Sequence, residues 1–199
     1  MGRDKAGLEW QGSTLLAHTC TTLRRCVDGP VVVVRSSGQV LPVLPDGVVV
    51  TDDPRPELGP LQGLAAGLAV ARGAAEVAFV CATDLPLLAP AVVRRVVAGL
   101  AGPADPADLP WEVVMPVVAG EWQPLVAAYR TELAEAAEAE VAAGRLSVRR
   151  FAGARRVRLL TEDELLADAA VAAEDGGLQS FVNVNDEQQL ARARAARRG

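Results

Sequence analysis

Apolar positions along this chain come in short continuous runs separated by stretches with helical spacing. Residues 31–34 are four valines in a row, 48–50 are three more, and Val77–Cys81 is a third run. Such unbroken β-branched runs predict strands covered on both faces rather than half-solvated ones. Helices are predicted between them: 14–26, ending before Asp28-Gly29-Pro30; 61–71, rich in small residues and closed by Gly73; and 90–100, with Pro90 in its first turn. Later strands are predicted at 111–118, 125–129, Val157–Leu160 and 180–184, with helices at 132–143 and 186–196. Residues 101–110, carrying three prolines, read as a loop, and the acidic, alanine-rich stretch 162–177 as a helix plus a mobile loop. Strands alternating with helices predict an α/β domain with a largely parallel sheet. No internal repeat or linker breaks the chain, so residues 1–199 are expected to form one domain.

Composition narrows the chemistry. The chain has 199 residues, half of them hydrophobic, and a formal net charge of −5. The acidic balance argues against nucleic acid or a membrane surface as partner. No run of about 18 apolar residues is present, so no membrane span is expected. Arg3, Asp4 and Lys5 are followed by no apolar signal-peptide core, which points to the cytoplasm. Cys20, Cys26 and Cys81 are odd in number and follow no metal-binding spacing, so they read as buried or free thiols. His18 is the only histidine and falls in a predicted helix, which leaves a Ser/His/Asp triad with little support. Lys5 is the only lysine among 20 basic residues, in a composition that otherwise uses arginine. A compact ammonium that moves between phosphate oxygens is what arginine cannot supply; the plainer alternative is a surface lysine near a terminus.

Ligands of open parallel sheets bind beyond the carboxyl ends of the strands, and three motifs fall there. Asp52-Asp53 precedes Gly59-Pro60-Leu61-Gln62-Gly63, a turn into a helix that offers free backbone N–H groups beside carboxylates. It is also what an ordinary turn and cap would look like. Thr83-Asp84-Leu85-Pro86 follows a buried strand, and a single carboxylate there suits magnesium, which keeps waters and takes phosphate oxygens for the rest. The alternative is that Asp84 caps the next helix. Asn183 and Asn185 alternate, so a terminal strand would present both on one face, where neutral amides can orient a polar substrate. Asn185 or Asp186 could equally cap the last helix. Gln123-Pro124-Leu125, opening a strand, is a weaker signal.

In this order, these residues resemble the molybdenum cofactor guanylyltransferase family, MobA-like nucleotidyltransferases. The segment Met1-Gly2-Arg3-Asp4-Lys5-Ala6 looks like the end of that family's phosphate loop. The resemblance implies a Rossmann-like three-layer nucleotidyltransferase fold with a mostly parallel sheet. It implies transfer of GMP from GTP to the phosphate of molybdopterin or the molybdenum cofactor, with release of pyrophosphate. By position, Lys5 would neutralise the triphosphate, Asp84 would hold Mg2+, Asp53 and Gly59 would contact the nucleoside, and Asn183 and Asn185 would face the pterin. Molybdoenzymes or other cofactor-biosynthesis proteins are the implied partners. A sister transferase using CTP or another phosphorylated acceptor, or a truncated, inactive nucleotide-binding domain, are the alternatives.

Two departures accompany the resemblance. Family members carry an apolar strand and a glycine-rich loop ahead of the Met-Gly-x-Asp-Lys segment, and the sequence shows neither before Met1. Either the true start lies upstream or the chain is a truncated form. In the second case Lys5 would sit on a free end, and the sheet would hold a slot about 10 Å wide, two strand spacings. A chain with that slot is expected to be poorly stable and nearly inactive. The second departure is Asp186-Glu187 where the family has Thr-Pro after the last asparagine.

Overall fold

Alternating buried residues on two adjacent strands explain the layered core. In the strand Val113–Val118, Val113 and Met115 turn to one side and Val114 to the other; all three are buried. The strand Val126–Arg130 does the same with Ala127 and Tyr129 on one side and Ala128 on the other. This alternation places one helical layer on each face of the sheet. A computed structural model describes residues 5–101, 109–184 and 187–196, apart from the side chains of Lys5, Pro56, Glu187 and Ala196.

In chain order, β1 (Glu9–Trp10) and β2 (Ser13–Thr14) form a small hairpin before α1 (Leu15–Arg24). Then come β3 (Val32–Ser36), β4 (Val49–Asp53), α2 (Pro60–Ala71), β5 (Val77–Cys81) and α3 (Pro90–Ala98). The second half holds β6 (Val113–Val118), β7 (Glu121–Trp122), β8 (Val126–Arg130), α4 (Ala134–Ala142), α5 (Val148–Gly153) and β9 (Val157–Leu160). The chain closes with α6 (Glu162–Leu166), α7 (Ala169–Asp175) and α8 (Glu187–Ala196).

The α/β architecture expected from the sequence is present, with a mixed rather than cleanly parallel sheet. β3 pairs parallel with β4, and β6 parallel with β9, but β8 runs antiparallel between β5 and β6. The reason is local. β6 and β7 join through a two-residue turn at Ala119-Gly120, both at positive φ, and so short a connection can only reverse the chain. α2, α4 and α5 cover one face, and α3, α6 and α7 the other.

Three expectations need correction. The strand predicted at 180–184 is absent: Gln179–Phe181 is a 3-10 turn and 182–184 are irregular. The Asp175 carboxylate accepts N–H bonds from Gln179 (2.6 Å) and Ser180 (2.9 Å), which fixes a turn where alternation suggested extended chain. The second correction concerns β4. Val49 and Val50 are about two-fifths exposed, because β4 is the edge of a two-stranded sheet rather than an interior strand. Third, 162–177 forms α6, started by a Thr161/Glu164 capping box, and α7, capped by Asp168, rather than a helix and a loop.

The β3–β4 pair and the β5-β8-β6-β9 sheet do not hydrogen-bond to each other. Between β3 and β5 lies a cavity of about 530 Å3, lined on one side by Val31–Val34 and on the other by Val77–Cys81. α1 contributes Leu16, Cys20 and Leu23 to its walls, and α2 contributes Gly63, Leu64, Gly67 and Leu68. It runs the length of both strands, from Gly29 and Ala75 at one end to Ala82 and Thr83 at the other. The sequence predicts a slot in the sheet only for a truncated chain, and without naming its neighbours. The expectation that Lys5 sits on a free end does not hold. Lys5–Gly7 is a 3-10 turn, and Ala6 is buried against Leu16, Cys20, Val31 and Val33, which themselves wall the cavity.

Candidate functional site

The loop after β4 and the turn after β5 flank one end of this cavity. Pro60 and Gly63 of α2 line it beside Ala82 and Thr83. The carboxyl ends of the strands therefore bring two of the three sequence motifs to a common mouth.

The first motif is built on a turn that only glycine makes easily. Gly59 caps α2 with φ 81° and ψ −168°, a region closed to residues with a Cβ. An added Cβ there would touch nothing within 4 Å, so the constraint is the backbone itself. Gly59 offers no side-chain cap, Pro60 has no N–H, and the Gln62 N–H turns back to the Gly59 carbonyl at 3.2 Å, which leaves the Leu61 N–H at the positive end of this 12-residue helix. Such an end binds anions through backbone N–H groups. Asp53 differs from the sequence picture. It is buried, its Oδ1 accepts the Arg55 N–H at 2.8 Å, and its Oδ2 lies 3.9 Å from where a Gly63 Cβ would stand. It is thus turned in toward the start of α2 and shapes the loop. Its neighbour Asp52 pairs with Arg35 at 2.7 Å on the outer face.

The second motif sits in a turn rather than at a helix cap. Asp84 lies between β5 and α3, whose N-cap is Ala89, so the capping alternative is excluded. The turn is held from behind: the Val184 N–H donates to the Asp84 carbonyl at 2.9 Å, and the Ser180 hydroxyl accepts the Ala89 N–H at 2.8 Å. Asp84 is also close enough to the Cys81 thiol to help raise it. Burial does most of that, with Cys20, Asp84 and Cys26 adding, and Cys81 is pushed up to about 12. Cys20 is raised to about 11, again by burial. All three thiols line the cavity as free cysteines, neutral at physiological pH.

The third motif is half in view. Val184 is fully buried against Trp10, Leu15, Leu190 and Ala193, and its bond to Asp84 brings the exposed Asn183 beside the second motif. Asn185 lies outside the described residues, as does the Lys5 side chain. Gln123-Pro124-Leu125 bends next to the same turn, with the Leu125 carbonyl accepting the Ala82 N–H at 3.1 Å. His18 is a helix residue beside Trp10, with ring centroids 6.0 Å apart. Among the described residues, no three His, Cys, Asp or Glu side chains gather as a metal-holding group. Asp84 is the residue of this turn whose carboxylate could hold a metal, with phosphate oxygens and water completing its shell. Among the described residues no helix is long and apolar enough to cross a membrane.

The chain shares its family and its fold with known proteins. A protein of Mycobacterium tuberculosis H37Rv named probable molybdenum cofactor guanylyltransferase is 38% identical over 148 residues, covering 72% of this chain and 68% of its own. The crystal structure of molybdopterin-guanine dinucleotide biosynthesis protein A from Archaeoglobus fulgidus superposes with a TM-score of 0.68 at 19% identity, covering 96% of this chain and 89% of its own. Rv0371c of M. tuberculosis, described in complex with manganese, superposes at a TM-score of 0.51 and 22% identity, covering 80% and 82%. The profile of the MobA-like NTP transferase domain matches residues 1–188, and with the relatives it shows that this chain is a nucleotidyltransferase enzyme belonging to that family.

Proposed function

We propose that the chain transfers GMP from GTP to the terminal phosphate of molybdopterin or the molybdenum cofactor, releasing pyrophosphate. The observation that carries this reading is the shared cavity mouth: the first turn of α2, through Pro60 and Gly63, and the turn that carries Asp84, through Ala82 and Thr83, both border it. The names of the M. tuberculosis and A. fulgidus relatives support the choice of base and acceptor. The Leu61 N–H at the start of α2 would hold a phosphate oxygen, and Lys5 would neutralise charge on the triphosphate. Asp84 would hold a magnesium ion, whose chemistry is charge neutralisation along the triphosphate. The complex of Rv0371c with manganese supports a divalent ion of this kind. The Asp53–Gly63 segment would take the base, since guanine N1–H and N2–H need acceptors that a carboxylate or backbone carbonyl supplies. Asn183 and Asn185 would face the acceptor. Attack of one phosphate on another needs alignment and charge neutralisation more than a strong base. Molybdoenzymes or other proteins of cofactor biosynthesis would receive the product.

Competition binding with GTP, CTP and ATP tests the base assignment. GTP is expected to win by about 1–3 kcal/mol, the cost of leaving a buried polar group unpaired with the wrong base. Equal affinity, or preference for CTP, would move the chain to a sister reaction.

A further inference from the structure

α4 carries none of the motifs singled out in the sequence, yet one of its carboxylates reaches both sides of the Asp53–Gly59 loop. Glu138 Oε1 pairs with the Arg55 guanidinium, just after β4. Its Oε2 accepts from Gln62 Nε2 at 3.3 Å, in the first turn of α2. Arg55 in turn gives its backbone N–H to Asp53, and its carbonyl accepts the Leu58 N–H at 3.0 Å. Gln62 gives its backbone N–H to the Gly59 carbonyl at 3.2 Å. Each oxygen of Glu138 thus leads, through one side chain, to one of the two candidate nucleoside contacts.

The Gln62 end is the more consequential. Gln62 is only 1% exposed, and its Oε1 is buried with no hydrogen-bond partner among the described residues. The amide therefore depends on Glu138, and removing the carboxylate would strand a buried donor. The Arg55 pair is half-exposed, so it contributes little to global stability. Its effect is to fix where Arg55, and hence the loop, sits. Glu135, one turn earlier on α4, pairs with Arg72 at 2.6 Å at the far end of α2. The same helix pair thus carries an ion pair of the same kind, remote from the loop.

We propose that Glu138 is a positioning residue for nucleotide binding, setting the loop from Arg55 to Gln62 through its two oxygens. This rests on the reading that the Asp53–Gly59 loop contacts the nucleoside.

The test uses Glu138→Ala, Glu138→Gln and Glu135→Ala in the full chain. Amide hydrogen exchange is followed without nucleotide, and the dissociation constant for GTP and the KM values for GTP and acceptor are measured. Glu138→Ala is expected to speed exchange across residues 55–62 by about tenfold and to weaken GTP by a similar factor, leaving the acceptor KM unchanged. Glu138→Gln keeps one acceptor oxygen and should recover part of both effects. Glu135→Ala should match the parent. Unchanged exchange in Glu138→Ala, or equal loosening in Glu135→Ala, overturns the assignment. Faster exchange with unchanged GTP affinity also overturns it; Asp53→Ala then tells which part failed. Weaker GTP binding in Asp53→Ala would fault Glu138 alone, and unchanged binding would fault the nucleoside reading of the loop.

Discussion

The two halves of the sheet are built from the same kind of residue and packed to different standards. In β6 and β8 the residues Val113, Val114, Met115, Ala127, Ala128 and Tyr129 are all fully buried between two helical layers. In β3 and β4 the valines either border the cavity or face outward. The difference lies in neighbours rather than propensity. β8 is paired on both edges, while β3 and β5 each have a partner on one side and a cavity on the other. A side chain against a void loses dispersion contacts on that face. The candidate site opens where these two halves meet, so its geometry depends on the less tightly held one.

The largest test of that contrast is a matched pair of truncations. Leu160→Ala, in the packed half, should cost about 2–5 kcal/mol, because the hole it leaves is lined on all sides. Leu16→Ala, beside the cavity, should cost less than about 2 kcal/mol, since part of its surroundings is already empty. Chemical denaturation of both proteins gives the two values, and equal costs would remove the contrast.

Next in size is Asp84→Asn, which keeps shape at the junction of the halves but deletes the charge that would balance a divalent ion. Turnover should fall at least about 100-fold, roughly 2.7 kcal/mol of barrier. Near-parent turnover at saturating magnesium would take Asp84 out of the reaction.

A finer comparison uses two glycines. A Cβ on Gly99 would stand 2.7 Å from Val114 Cγ1, in the packed half, and should cost about 1–3 kcal/mol as Ala. A Cβ on Gly67 meets Val34 Cγ2 at 3.3 Å beside the cavity, where Val34 has room to move. The gain of helix propensity, about 1 kcal/mol, should then leave Gly67→Ala no worse than neutral. Thermal melts rank the pair, and a more damaging Gly67→Ala would mean that the cavity walls are rigid.

The smallest effect is a pH dependence. Burial pushes the Cys81 and Cys20 thiols up to about 12 and about 11, from an ordinary value of 9.0. Above pH 9 the unfolded state loses these protons first, so it binds fewer protons than the native state and stability falls as pH rises. Replacing both thiols by Ala should flatten the decline between pH 9 and 11 in denaturation midpoints. An unchanged slope would show that the thiols do not contribute.

Much of this was legible in the sequence, for stated reasons. Val77–Cys81 and Val157–Leu160 are strands with the bounds expected, because apolar runs between turn residues leave few alternatives. Gly59-Pro60 announced its helix through backbone chemistry alone. The family, and the enzyme class with it, followed from motif order. The terminal turn at 179–181 was not legible, because it is set by Asp175, a carboxylate contributed from the preceding helix. Nor was Glu138, since nothing in an alanine- and glutamate-rich helix marks which glutamate meets a loop 83 residues earlier. The exposure of β4 depended on which strands pair, and a valine run looks the same at an edge as in a centre.

The most direct test of guanylyl transfer is product analysis with the chain, magnesium and molybdopterin, comparing GTP with CTP. The account predicts pyrophosphate release that requires molybdopterin, with a product whose mass is molybdopterin plus GMP, and much slower reaction with CTP. Pyrophosphate release independent of molybdopterin, or a product formed faster from CTP, would contradict it.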